Sequence, residues 1–239
     1  KSAMEHKKKE VELLKIMSVH NQLILDAGCG LGSFGMIFAQ NNNVVLGIDI
    51  SYDAAKTTKK YAEQQKVNYF PVIGDLERAP FKSGTFDICF YGEILHHFPN
   101  INFVISESCR ILKSGGTFAS VENNGSNPLV KLSRIVTRLE WGRWLLMQGY
   151  GTENVRVHTH NHYNSVLRRF GFTDIKFISC YHGLPIQQLR RELYLRSLRG
   201  IIWSTLNSMY ALGIHIQSKA LHQPHAGNLL LFSAVKRKT

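Results

Sequence analysis

With 239 residues, the chain can bury one substantial core, so we expect a single domain over residues 1–239. Hydrophobic residues make up 44% and charged residues 19% of the chain, a balance that is typical of a globular protein and excludes a disordered or low-complexity one. The cysteines lack the spacing of a zinc site or a disulfide framework, so we expect a reducing, cytoplasmic location. They are Cys29, Cys89, Cys109 and Cys180.

The net charge of +12 is distributed unevenly along the chain. Residues 1–125 contain 13 Lys and Arg and 13 Asp and Glu, whereas residues 126–239 contain 16 and 4. The whole basic excess therefore lies in the second half, which indicates a partner with phosphates or carboxylates, or an anionic membrane surface. Solvated helix faces are the alternative, and charge alone does not decide between them.

Short apolar runs alternate with helical patterns through the first half of the chain. The predicted strands are 23–27, 44–49, 68–73, 85–91 and 117–122. The predicted helices between them are 31–40, 52–66 and 101–112, the last of which ends at the glycine pair Gly115 and Gly116. This alternation predicts an α/β fold, a parallel sheet with helices on both faces.

The second half is less regular. A helix is predicted over 128–147, a loop through about residue 161, a short helix over 163–170 and a strand over 175–180. A helical pattern with breaks follows over 184–221, and a closing strand over 228–236 brings the strand count to seven.

A glycine-rich turn follows the first predicted strand. A strand that runs into glycines and then into a helix lets the backbone approach a ligand closely at the carboxyl edge of the sheet. Gly30, Gly32 and Gly35 match the G-x-G-x-x-G pattern of dinucleotide-binding proteins. The register argues against that interpretation, because the first glycine after the strand is Gly28 and the third position then falls on Ser33.

The turn resembles motif I of class I S-adenosylmethionine-dependent methyltransferases, D-x-G-x-G-x-G, and the resemblance extends over residues 20–125. It implies a seven-stranded, mostly parallel sheet whose last strand is antiparallel. Residues 20–125 would form the cofactor-binding half, 126–165 and 182–224 helical cap insertions, and 228–236 the closing strand.

The resemblance also implies S-adenosylmethionine as the cofactor and indicates which residues contact it. Aspartates at the ends of the second and third strands match the acids that bind the ribose hydroxyls and the adenine amino group, and the residues after the fourth strand flank the methionine part. The implied cofactor-binding residues are Asp26, Gly28, Gly30, Asp49, Ile50, Asp75, Leu76, Tyr91 and Gly92.

The acceptor of the methyl group is constrained by motifs that do not occur. Tyr91-Gly92-Glu93-Ile94 stands where enzymes that methylate nucleobase amino groups carry Asn/Asp-Pro-Pro-Tyr, and no Pro-Cys pair is present there. These absences favour a small-molecule, sugar or lipid-like acceptor, and the basic second half favours an anionic one. The alternatives are an RNA methyltransferase, which the arginine excess would serve, and a non-catalytic cofactor-binding interaction module.

Histidines are the candidate catalytic residues, since a hydroxyl acceptor must lose a proton. His96 and His97 follow the fourth strand, and His97 fits a histidine that is common in the family. His160 lies between His158 and His162, and three alternating histidines would share one face of an extended segment. No nearby Cys, Asp or Glu completes a metal-ligand set, so we expect no metal and interpret the segment as a loop lining the acceptor pocket.

Residues 200–216 contain no formally charged residue, and Arg190, Arg191, Arg196, Arg199 and Lys219 flank them. The run is too short and too polar for a transmembrane helix. A helix lying in an anionic membrane interface is one interpretation, which would make the protein peripheral at the membrane. A cap helix over the active site or across a homodimer is the other.

Overall fold

The computed structural model describes residues 2–16, 18–136, 156–180, 209, 212 and 227–238. Its strands are β1 Leu23–Ala27, β2 Val44–Asp49, β3 Tyr69–Ile73, β4 Phe86–Gly92, β5 Leu112–Asn123, β6 Phe172–Cys180 and β7 Leu229–Lys236. Its helices are α1 Ser2–Leu13, α2 Ser33–Gln40, α3 Tyr52–Gln65, α4 Ile101–Ile111, α5 Pro128–Val136 and α6 His160–Arg169. Short 3-10 turns span Leu76–Arg78 and Leu95–His97.

The seven strands form one sheet in the order β3-β2-β1-β4-β5-β7-β6. The pairs among β1 to β5 are parallel, and β7 runs antiparallel to both β5 and β6. This topology confirms the predicted mostly parallel sheet with an antiparallel last strand. The chain reverses direction in strand order between β1 and β4, where open α/β sheets form their ligand crevice.

Two apolar layers cover the faces of the sheet. Val11 of α1 and Phe38 of α2 belong to one buried cluster, whereas Val104 of α4 and Leu167 of α6 belong to the other. Strands β1, β4 and β7 are buried on both sides, which explains why they consist of nearly continuous apolar residues. The predicted placement of helices on both faces is thus confirmed.

Several elements differ from the prediction by more than two residues. The lysine-rich start forms α1, a segment for which no element was predicted. Strand β5 begins at Leu112 because the chain pairs with β4 on both sides of a register shift between Phe86 and Ile88. Helix α6 begins at His160, where the Thr159 side chain accepts a hydrogen bond from the His162 backbone N–H.

In the second half, α5 is described only to Val136. The rest of the predicted helix 128–147 and nearly all of the cap segment 182–224, including the uncharged run 200–216, lie outside the described residues. Within the described ranges, every helix falls short of the length and hydropathy needed to span a bilayer.

Candidate functional site

The glycine turn between β1 and α2 forms the floor of the site. Gly28, Gly30 and Gly32 have φ angles of 64°, 48° and 72°, a region that side chains with a Cβ rarely adopt. A Cβ on Gly30 would meet no protein atom within 4 Å, whereas a Cβ on Gly28 would overlap the side chain of Ile94. The turn therefore exposes its backbone at Gly30 and packs closely against the protein at Gly28.

Asp49 lies beside this open backbone at the end of β2. Its Oδ2 accepts a hydrogen bond of 2.8 Å from the Gly30 N–H, and its Oδ1 accepts one of 2.9 Å from the Ser51 N–H. A carboxylate offers about four acceptor positions, so each oxygen keeps capacity for one more donor. The two backbone contacts fix the carboxylate in an orientation suited to two adjacent hydroxyl groups.

Exposed apolar side chains surround Asp49. Ile50 is 80% exposed, and Leu31, Tyr52 and Ile73 are between 54% and 64% exposed, at the ends of β1, β2 and β3. Apolar side chains exposed together with a few polar groups are typical of a ligand site. This combination fits the flat apolar faces and polar edge of a nucleoside base.

The third strand contributes Asp75 and Leu76 to the same edge. Asp75 is exposed, and its Oδ1 accepts a hydrogen bond of 2.8 Å from the Glu77 N–H, which orients the carboxylate at the start of a 3-10 turn. Leu76 is buried, at 6% exposure. Of the two residues, Asp75 is the one that presents a polar group at the surface.

Asp26 lies below the turn, with only 2% of its surface exposed. Its Oδ2 accepts hydrogen bonds from the Gly35 N–H at 3.0 Å and from the Tyr69 hydroxyl at 2.7 Å. Burial raises the pKa of this carboxyl from 3.8 to about 6, against the lowering effect of the two hydrogen bonds. Asp26 thus joins β1 to α2 and β3, and its direct contact with the cofactor stays a prediction.

Tyr91 belongs to the core. Its hydroxyl lies 2.6 Å from the Ser108 Oγ, and its ring stacks on Phe118 with 4.9 Å between centroids. Its side chain is occupied by these contacts, so a contact of Tyr91 with the cofactor, which stays a prediction, would involve its backbone at the end of β4. At Gly92 a Cβ would overlap the Phe34 ring, so this glycine permits close packing between β4 and α2.

Helix α1 brings a cation to the turn that the sequence did not reveal. The Lys7 Nζ lies 3.3 Å from the Glu93 Oε2 and 3.9 Å from the centroid of the Phe34 ring. Glu93 has a φ angle of 58° directly after β4. The only sequence signal was the lysine-rich composition of residues 1–15, which does not indicate which lysine faces the turn.

A buried carboxylate at the end of β5 holds the turn that follows β4. Glu122 is 0% exposed, and its Oε2 lies 2.7 Å from the Nδ1 of His96. Its Oε1 accepts hydrogen bonds from the backbone N–H groups of Ile94 at 3.0 Å and Leu95 at 2.7 Å. Burial raises the pKa of Glu122, and the hydrogen bonds from His96 and the two amides oppose that effect.

Three more polar side chains lie around this pair. The exposed His97 ring has its centroid 4.2 Å from that of His96, and burial together with the charge of His96 lowers the pKa of His97. His158 stacks on His162 at 4.4 Å, and burial, then the charge of His162, lowers the pKa of His158 to about 4. The structure therefore groups neutral imidazoles near His96.

His160 takes a different position from the one predicted. Its Nδ1 lies 2.9 Å from the Ser126 Oγ, which joins α6 to the loop after β5. Because His160 and His162 lie on a helix, the three alternating histidines do not share one extended face. Among the described residues, no group of three or more His, Cys, Asp or Glu side chains could hold a metal ion.

Residues 25–120, which contain the glycine turn, Asp49 and the end of β4, match the family model of a methyltransferase domain. In this range the chain is similar to a methyltransferase domain. S-adenosylmethionine is the cofactor of this family, and the residues present fit it. Gly30 leaves open space above the turn, Asp49 retains acceptor capacity, and Ile50 is exposed beside it.

Curated methyltransferases are similar to part of the chain. Squalene methyltransferase 1 of Botryococcus braunii is 35% identical over 124 residues, which are 51% of this chain and 32% of that protein. A ubiquinone biosynthesis O-methyltransferase of Coxiella burnetii is 31% identical over 103 residues, which are 42% of this chain and 44% of that protein. The chain thus matches less than half the length of these curated relatives.

Solved structures share the fold of the methyltransferase domain over a longer range. The YcgJ protein of Bacillus subtilis has a TM-score of 0.67 at 18% identity, covering 98% of this chain and 100% of that one. Phosphoethanolamine N-methyltransferase 2 of Haemonchus contortus, in complex with S-adenosyl-L-methionine, has a TM-score of 0.66 at 18% identity, covering 97% and 53%. The TM-scores show a common fold, and at identities this low the likeness extends to the fold alone.

Proposed function

We propose that the chain transfers the methyl group of S-adenosylmethionine to a small-molecule, sugar or lipid-like acceptor that carries an anionic group. The observation that carries this proposal is the junction of the β1 glycine turn, Asp49 and Asp75 at one edge of the sheet, next to the His96–Glu122 pair. The cofactor supplies a methyl group activated by a sulfonium, so the protein mainly has to align the acceptor and exclude water.

The cofactor contacts follow from the geometry of the strand ends. Asp49 would accept hydrogen bonds from the ribose hydroxyls, Asp75 would accept one from the adenine amino group, and Ile50 would pack on the base. The backbone at Gly30 would lie against the cofactor directly. The methionine part would then extend past Gly92 toward the acceptor side.

The acceptor class is supported by polar groups beside the His96–Glu122 pair. Within the described part of the chain, the Tyr163 hydroxyl and the His158 Nε2 are buried without a hydrogen-bond partner. Buried polar atoms of this kind normally have a partner, so these two favour a ligand with polar groups of its own. A lipid-like acceptor is further supported by relatives whose names refer to squalene and to ubiquinone biosynthesis.

Replacing Asp49 with Ala tests the cofactor part of the proposal. The variant loses an acceptor for the ribose hydroxyls, and its binding of S-adenosylmethionine should weaken by roughly 1.5–3 kcal/mol, the range for hydrogen bonds to a charged group. Isothermal titration calorimetry measures the change. Asp53→Ala removes an exposed carboxylate four residues away and should bind like the wild type. Unchanged affinity in Asp49→Ala would refute this placement of the cofactor.

Turnover tests the acceptor part. Radiolabelled S-adenosylmethionine is incubated with the protein and lipid extract, sugar nucleotides or RNA, and label transfer into the lipid or sugar fraction is the expected result. Label in RNA would instead favour the RNA methyltransferase, which the basic residues 126–239 would serve. Cofactor binding with no transfer to any of the three would favour the non-catalytic module.

We also expect the basic second half to bring the protein to anionic bilayers. Each basic residue near such a surface contributes about 1 kcal/mol, and salt screens the attraction. Flotation with anionic vesicles should therefore recover the protein at low salt and lose it at high salt, whereas neutral vesicles should recover none. Equal behaviour with both kinds of vesicle would contradict the membrane contact.

A further inference from the structure

We propose that Glu122 is a positioning residue that fixes His96 as the proton acceptor of the reaction, and that the acceptor group is therefore a hydroxyl. This inference rests on the proposed methyl transfer. Glu122 comes from β5 and His96 from the turn after β4, and the 2.7 Å contact between them is buried. A carboxylate bonded to one imidazole nitrogen sets the tautomer of the ring.

The direction of that hydrogen bond follows from the other contacts of Glu122. The Ile94 and Leu95 N–H groups both donate to Oε1, and donors of this kind favour the ionised carboxylate despite its burial. An ionised Glu122 can only accept, so the Nδ1 of His96 carries the proton and donates it. The lone pair of the ring is then on Nε2, as a proton acceptor requires.

The surroundings of His96 are consistent with this role. The charged and titratable groups around it are His97, His158 and Arg156, whose backbone N–H donates to the His96 carbonyl oxygen at 2.8 Å. His97 and His158 have lowered pKa values and stay neutral near pH 7. The negative charge of Glu122 is thus the nearest partner for an imidazolium that forms on His96.

The step balances in atoms and charge. The acceptor oxygen bonds to the methyl carbon as the carbon–sulfur bond breaks, and that electron pair remains on sulfur, which becomes a neutral thioether. The hydroxyl proton passes to the His96 Nε2. Methylation of a carboxylate releases no proton and a neutral amine can attack without a base, so among oxygen and nitrogen acceptors the Glu122–His96 pair suits a hydroxyl.

Nitrogen-15 NMR of the whole protein tests the tautomer without any substrate. We expect the wild-type His96 ring, identified by its loss in His96→Gln, to carry its proton on Nδ1. Glu122→Gln keeps an oxygen for the two backbone amides but presents N–H donors to His96, so the proton should move to Nε2. A wild-type ring protonated on Nε2 would overturn the proposal even if Glu122→Gln failed to fold.

Kinetics and product analysis complete the test. Glu122→Gln should lower kcat by about 100-fold or more, with little change in S-adenosylmethionine affinity, because general base catalysis contributes about 10²–10⁴-fold. Glu107→Gln removes a carboxylate that pairs with Arg110 on α4 and should keep wild-type kcat. With a 13C-labelled methyl group and lipid extract, the product should be an O-methyl ether. A carbon- or nitrogen-linked methyl group would overturn the hydroxyl assignment, whereas absent turnover with normal cofactor binding would count against the proposed function itself.

Discussion

Replacing Gly28 with Ala should destabilise the fold by roughly 2–5 kcal/mol. Part of this comes from the φ angle of 64°, which is unfavourable by about 1–2 kcal/mol for a residue with a Cβ. The rest comes from overlap between the new methyl group and Ile94, which is held next to the end of β4. Chemical denaturation measures the loss, which is a large part of the total stability of about 5–15 kcal/mol.

Gly30→Ala is the matched control, since its φ angle of 48° is similar but its Cβ meets no protein atom within 4 Å. This variant should lose only about 1–2 kcal/mol of stability. Its methyl group would project into the proposed cofactor space, so S-adenosylmethionine affinity should fall by about 10- to 100-fold. Equal destabilisation by both substitutions, with normal cofactor binding in Gly30→Ala, would show that the open face of the turn does not meet the cofactor.

Replacing Asp26 with Asn should change how stability depends on pH. The pKa of Asp26 is raised to about 6 in the folded protein, so the folded state binds more protons than the unfolded state between about pH 4 and 6. The contribution of this group therefore favours folding at low pH and is lost as the pH rises through 6. From pH 4 to pH 6 the contribution of Asp26 to the free energy of unfolding falls by on the order of 3 kcal/mol. Asn does not titrate, so the variant lacks this change.

The measurement is the free energy of unfolding of wild type and Asp26→Asn at a series of pH values without cofactor. The difference between the two should shift in favour of the variant from pH 4 to 6 and then level off. Subtracting the two curves removes the titration of Glu122, which both proteins share. Asp53→Asn, which alters an exposed carboxylate, should follow the wild-type curve, and a similar curve for Asp26→Asn would contradict the raised pKa.

The sheet, the glycine turn and the position of Asp49 could be predicted from the sequence because the patterns that indicate them are local. Buried strands such as β1 and β2 consist of apolar runs, and both were predicted with the boundaries that the structure gives. The glycine turn follows β1 directly, and Asp49 ends β2. Because β1 and β2 are parallel neighbours, their carboxyl ends lie side by side at one edge of the sheet. Local patterning therefore located the strand ends at which the cofactor contacts are proposed.

The contacts of Glu122 and of Lys7 could not be predicted from the sequence, because they join residues that are far apart in the chain. Glu122 and His96 are 26 residues apart, and their contact depends on the register of β5 against β4. Lys7 and Glu93 are 86 residues apart. At His160 a local signal did exist, the capping side chain of Thr159, but the segment was interpreted as a loop.

The position of β7 in the sheet has a consequence for how the protein folds. Strand β5 pairs with β7 through residues such as Thr117 and Val235, which lie more than 100 residues apart. During synthesis at about 5–20 residues per second, the edge of β5 that pairs with β7 therefore stays unpaired for roughly 5–20 seconds. Glu122 pairs with Leu230 in this register, so its strand neighbour on that side is available only after the closing strand has been made. The pairing of β5 with β7 is consequently a late step in folding, and nascent chains expose an unpaired apolar strand until then.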